Sequence, residues 1–195
     1  MKFNNISSIG IAGVLSAVLV GHARLASADD LSGAEPDVRL AVDVEIDPIA
    51  FAFAGHSLHV GLGWRRFRLD LGTFAADVPE FLHEEDDLDI RVDGFGSKLD
   101  AYWRTDRTGP FAGIEVNASQ SGVTDTRTGI FDRQAQLSAG VRLGWRIPLP
   151  ASFYATPWVG FDVSTGSGDR HVGARTYQQS AFSVFPTIHV GRVFR

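Results

Sequence analysis

An unbroken alternation of thirteen residues, 135–147, constrains this chain more than any other feature. Ala135, Leu137, Ala139, Val141, Leu143, Trp145 and Ile147 share one parity; Gln136, Ser138, Gly140, Arg142, Gly144 and Arg146 share the other. Successive side chains of a strand point to opposite faces, so period two describes a strand with one apolar and one polar side. Strands in soluble proteins commonly run about 5 or 6 residues. A tilted strand that crosses a bilayer needs about 9–11. Thirteen exceeds both.

Seven further segments follow the same rule. Val38, Leu40, Val42, Val44 and Ile46 oppose Arg39, Asp43 and Glu45. Leu58, Val60, Leu62 and Trp64 oppose His59, Gly61 and Gly63, and Phe67, Leu69 and Leu71 oppose Arg68, Asp70 and Gly72. Phe95, Leu99, Ala101 and Trp103 oppose Lys98 and Asp100; Ala112, Ile114 and Val116 oppose Glu115. Phe153, Ala155, Val159, Phe161 and Val163 oppose Tyr154, Thr156, Trp158 and Asp162. Phe182, Val184, Ile188 and Val190 oppose Thr187, His189 and Gly191. The total is eight strands, an even number, as a closed up-and-down sheet requires.

Connections alternate in length. Only Arg65 and Arg66 separate Trp64 from Phe67, and segments 104–110 and 146–152 follow Trp103 and Trp145. Segments 77–89, 119–133 and 164–180 read as longer polar loops. The first connection, around 47–56, stays open because residues 49–53 continue the apolar run. Short turns at one end and long loops at the other are the pattern of an outer-membrane barrel. At the short end, Trp64-Arg65, Trp103-Arg104, Trp145-Arg146 and Phe194-Arg195 each set an aromatic before an arginine, at intervals of 39, 42 and 49 residues. Trp64, Phe67, Trp103, Trp145, Phe153 and Phe194 read as an aromatic girdle at a membrane interface, with the arginines reaching into headgroups or water.

The first residues read as a leader. Lys2 precedes a thirteen-residue apolar stretch, 9–21, and Ala26-Ser27-Ala28 offers a small-x-small cleavage site. The expected organisation is a cleaved signal peptide over 1–28, a short segment over 29–37 and a transmembrane barrel over 38–195. Without Lys2 and Arg24 the 18 basic residues fall to 16 against 23 acids, a net charge near −7. A nucleic-acid binder would show the opposite balance. Cysteine is absent, so no disulfide framework holds the fold. No stretch after the leader reaches the length of a membrane-spanning helix.

These features together resemble the small eight-stranded outer-membrane barrels of OmpA, OmpX and OmpW type, over essentially all of 38–195. The resemblance implies a closed, antiparallel, all-β transmembrane barrel with an assembly signal in its last strand, where Phe194 is penultimate rather than terminal. The implied surroundings are outer-membrane lipid and lipopolysaccharide, with the barrel-assembly machinery engaging the C-terminal strand.

An eight-stranded barrel has an interior that side chains just fill. Arg39, Asp43, Glu45, Arg68, Asp70, Lys98, Asp100, Glu115, Arg142 and Asp162 therefore read as a paired polar core, with Lys98 across the hairpin from Glu115. His59 and His189 face each other across the first strand. Two histidines without cysteine fall short of a metal site, and no metal or cofactor is expected. His56 and Ser57 adjoin but point to opposite faces, so no catalytic set is expected and the chain reads as no enzyme. The acidic segment 80–89 reads as a solvated loop. The expected role is structural, or surface interaction through the loops. A narrow channel or small-molecule transporter, a lipid-modifying enzyme and a soluble lipocalin-like barrel are the alternatives. In the last of these, large apolar residues such as Leu69, Leu99, Leu143 and Val159 would face inward.

Overall fold

A computed structural model describes residues 40–80, 83 and 87–194. The leader, the segment 29–37, Arg39 and Arg195 lie outside the described residues. The order is β1 (Ala41–Ile46), α1 (Pro48–Ala52), β2 (His56–Trp64), β3 (Phe67–Val78), β4 (Leu88–Tyr102), β5 (Gly109–Asp125), β6 (Phe131–Pro148), β7 (Phe153–Ser164), β8 (Gly168–Val172), β9 (Arg175–Gln179) and β10 (Phe182–Phe194). Eight of the ten strands form a closed antiparallel barrel, each paired with its neighbour in sequence, and β1 meets β10 to close it. β8 and β9 form a separate hairpin inserted between β7 and β10.

Alternation sets the burial. Along β2 every second residue is buried, His59, Gly61 and Gly63 among them, while Leu58, Val60, Leu62 and Trp64 are exposed. Leu69, Leu99 and Leu143 are 40, 44 and 50 % exposed, whereas Arg68 is 1 % exposed. Val159 shares the outward parity of Leu143, its cross-strand partner. The inverted, lipocalin-like arrangement is thereby overturned: the charges are inside.

Three loop boundaries are corrected. β3 runs to Val78 and β4 begins at Leu88. β5 continues to Asp125 and β6 begins at Phe131, so most of 119–133 is strand. Polar residues on both faces hid this extension, because above the apolar belt neither side needs to be greasy. The last loop contains the β8–β9 hairpin. The first connection is a one-turn helix, its start fixed by Asp47, whose side chain accepts from the Ile49 N–H at 2.8 Å, with Pro48 in the first helical position.

Strand length grows from 6 residues in β1 to 18 in β6. The turns align at one end, so β4, β5 and β6 project furthest at the other. Their outward residues change character with height: Phe95 and Leu99 give way to Asp93 and Arg91 on β4, and Leu137 to Arg133 on β6. The β2–β3 turn is made by Arg65 and Arg66, with Arg65 at φ 49°. Two-residue hairpins favour a positive φ at this position, normally on Gly or Asn. Arginine there costs about 1–2 kcal/mol.

At Gly140 an added Cβ would lie 2.1 Å from Asp162 Oδ1 and 2.3 Å from the Phe161 carbonyl oxygen. Gly140→Ala should therefore destabilise the barrel by about 1–3 kcal/mol through overpacking. The urea midpoint of refolding, followed by the gel migration of folded and unfolded bands, measures this.

Candidate functional site

Inward parity brings β1, β3, β4, β5, β6 and β7 charges to one level of the lumen. Asp43, Glu45, Arg68, Asp70, Lys98, Asp100, Glu115, Arg142 and Asp162 all face inward and are buried. Arg68 is the hub. Its Nη2 lies 2.7 Å from Asp43 Oδ1, 2.5 Å from Glu45 Oε1 and 2.8 Å from Asp70 Oδ2, and its Nη1 lies 3.8 Å from Asp100 Oδ2. One guanidinium thus serves four carboxylates from three strands. Its five N–H donors in a fixed fork make this possible where an ammonium would not serve.

Two smaller centres flank the hub. Arg142 Nε lies 3.3 Å from Asp100 Oδ1, and its guanidinium stacks 4.1 Å from the Trp158 ring and 5.3 Å from Phe111. Lys98 Nζ sits 3.6 Å from Asp70 Oδ1 and 3.4 Å from His59 Nδ1, while His59 Nδ1 lies 2.8 Å from the same carboxylate oxygen. Strand pairing sets Lys98 opposite Glu115. The His59 and His189 rings are 4.9 Å apart, from the strands on either side of β1, and His189 Nδ1 is 3.8 Å from Glu45 Oε2. Glycines make room for these long groups. A Cβ at Gly61 would lie 2.3 Å from Asp43 Oδ1, and one at Gly160 would lie 2.5 Å from Glu115 Oε1.

Arg146 corrects the sequence reading. It does not extend towards headgroups: it turns inward, 4 % exposed, with Nη2 3.2 Å from Asp43 Oδ2 and its guanidinium 3.5 Å from the Tyr154 ring. Tyr154 Oη donates to Asp43 Oδ1 at 2.8 Å. The signal was available, because Arg146 has the parity of Arg142 and β6 continues to Pro148. The repeated aromatic–arginine pair outweighed it. Phe111 also faces inward, packed with Tyr102 and near Trp158. Trp64, Phe67, Trp103, Trp145, Phe153 and Phe194 are all exposed on the outer wall beside the turns.

The hairpin was invisible in sequence. Val172 packs with Leu88, Ile90 and Val123 on the inner face of the projecting strands. Arg170 is buried beside it; its Nη2 donates to Asp132 Oδ2 at 2.6 Å and its Nη1 to Ser121 Oγ and Gln179 Oε1, each at 3.2 Å. Arg175 and Arg127 both hold Asp87. The hairpin is therefore docked at the mouth rather than free.

Around Arg68 the lumen side chains engage one another, whereas Ser57 Oγ and Trp158 Nε1 are buried without a hydrogen-bond partner among the described residues. Ser57 points in and His56 out, so they form no pair. Among the described residues no group of three or more His, Asp or Glu side chains is placed to hold a metal ion.

No protein-family model matches the chain, and no curated protein does. Among solved structures it is similar to Neisserial surface protein A (NspA), at 12 % identity over 80 % of this chain and 96 % of that one, with a TM-score of 0.49. It is similar to the N-terminal β-barrel domain of Pseudomonas aeruginosa OprF, at 12 % identity over 79 % and 97 %, TM-score 0.45. A major outer membrane protein from Thermus thermophilus gives 14 % identity over 80 % and 98 %, TM-score 0.43. The chain resembles small outer-membrane β-barrels.

Arg68→Met should cost about 3–5 kcal/mol, because it strands Asp43, Glu45 and Asp70 without their shared cation. The double variant Glu45→Gln, Arg68→Met should recover most of that loss, because Asp43 keeps Arg146 and Asp70 keeps Lys98. Urea unfolding of the refolded proteins compares the two, and an unrecovered double variant would mean that the ion pairs do not set the cost.

Proposed function

We propose that this chain is an outer-membrane β-barrel whose role is structural or adhesive, exercised through the ends of β4–β6 and the docked β8–β9 hairpin. One observation carries the membrane reading: charged groups fill the centre while large apolar side chains clothe the outer wall. In water this arrangement would expose a greasy belt and bury ions, each unfavourable. In hydrocarbon both faces are satisfied. The alternation of about five outward residues from Phe95 to Trp103 gives a belt height near the ~25 Å typical of such barrels.

The surface role is supported by what projects. Arg170, Val172 and Arg175 tie the hairpin to β4, β5 and the segment before β4, so the mouth presents a fixed shape. A preformed loop binds with less loss of conformational entropy than a free one. Outer-membrane lipid and lipopolysaccharide are the proposed surroundings, and the C-terminal strand the proposed contact with the assembly machinery. We propose no catalytic activity, since the inward titratable groups are largely engaged with each other. Lipid A mass profiles that change with the gene would reject that.

The transport reading is disfavoured by the Arg68 hub, which plugs the turn-end part of the lumen with paired charges from three strands. Planar-bilayer recording should give no discrete conductance of porin magnitude; a stable open channel would reject the plug. Leu71→Arg and Val141→Arg, each four residues from a girdle aromatic, should each lower stability by about 2–4 kcal/mol in lipid vesicles, as outward cations near the midplane do. Heat-modifiable gel migration of the outer-membrane fraction tests the placement itself: a chain found soluble in the periplasm overturns it.

A further inference from the structure

The two rims of the barrel treat outward arginines differently. At the loop end each is held by a carboxylate: Arg91 Nη1 lies 2.6 Å from Asp77 Oδ1, Arg133 Nη2 3.0 Å from Asp93 Oδ1 and Arg127 Nη2 2.7 Å from Asp87 Oδ2. At the turn end Arg65, Arg66 and Arg192 are exposed, and none is paired with a carboxylate among the described residues. The described turns at that end contain a single acid, Asp106, which Arg104 holds at 3.2 Å.

Aromatic rings position two of these cations. Arg65 lies 5.1 Å from the Trp64 centroid, and Arg192 lies 5.3 Å from Phe153 and 5.5 Å from Phe194. All three rings belong to the exposed band beside the turns. Stacking leaves the guanidinium N–H fork free in the ring plane while its face is covered. Arg65 also occupies the left-handed position where glycine would fit without strain. An unfavourable backbone under a cation with no carboxylate partner among the described residues is the kind of outlier from which a role is inferred.

We propose that this rim binds the phosphate groups of anionic phospholipids in the leaflet facing the turns, with Arg65, Arg66 and Arg192 as the contacts. The inference rests on the membrane reading above and adds the lipid class and the side. Guanidinium matches phosphate geometry in a bidentate manner. A zwitterionic headgroup carries its own ammonium and competes for the same phosphate, so a net-negative lipid is preferred. The loop-end arginines are already neutralised and offer no such preference.

The test uses the full mature chain folded in detergent, titrated with dihexanoyl phosphatidylglycerol, dihexanoyl phosphatidylcholine or inorganic phosphate, with retained lipid counted by native mass spectrometry. The glycerol lipid should bind at least tenfold more tightly than the choline lipid. Each of Arg65→Gln, Arg66→Gln and Arg192→Gln should weaken it about fivefold. Arg91→Gln with Arg133→Gln should leave it unchanged. Equal retention of the two lipids, or equal losses from the loop-end variant, overturns the proposal. Full competition by inorganic phosphate at matched concentration overturns it in favour of a free-anion site. Retention that emerges only after Asp29, Asp30, Glu35 and Asp37 are changed to their amides overturns it in favour of the chain's own acids as occupant. Indifference to lipid in a detergent-folded, heat-modifiable barrel rejects this inference alone; a chain that folds without detergent rejects the membrane reading with it.

Discussion

A guanidinium removed from water is tolerated only where its charge is answered, and Arg68 is answered four times over. Asp43 and Glu45 reach it from β1, Asp70 from its own strand and Asp100 from β4. β2 lies between β1 and β3, so Asp43 and Glu45 meet Arg68 only because the sheet curves inward into a closed ring. The network and the closure therefore depend on each other. An open sheet would leave Arg68 and its acids in solvent, where each pair contributes little; the cylinder without them would enclose a void or an unpaired charge.

Glycine placement follows from the same constraint. An interior of eight strands is narrow, and long charged side chains fit inside it only where nearby strands are bare. Gly61, Gly113 and Gly160 stand against Arg68 with Asp43, against Asp100, and against Glu115 respectively. Charge and absence of side chain are two halves of one packing solution. Arg142 and Arg146 extend it by laying their planar heads on Trp158 and Tyr154, so that aromatic faces complete what carboxylates leave uncovered.

The eight strands and their facing were legible because outward-facing and inward-facing parities differ so sharply between Phe67 and Asp70, or Leu143 and Arg142. Opposition of Lys98 to Glu115, and of His59 to His189 across β1, followed from counting back from the turns. Legibility ended where the outer wall loses its apolar character. The upper parts of β5 and β6 read as loop because Gln120, Thr124, Asp132 and Gln134 carry no parity. The β8–β9 hairpin read as a long polar loop because its hold on the barrel is tertiary: Arg170 answers Asp132 and Ser121 from far along the chain. Arg146 failed for a different reason. A repeated dipeptide suggested one fate for four arginines, while strand length gave Arg146 another; β6 runs on past it, and Arg65 and Arg104 stand where their strands have ended.

The progression from a six-residue β1 to an eighteen-residue β6 gives the barrel an oblique top. One flank stands well above the other like a raised collar, with the inserted hairpin leaning on its inner side, while the flank built by β1 and β2 ends low, under a single helical turn. Anything meeting the oblique end face-on would touch the collar first, so strand length alone decides which strands form the leading surface.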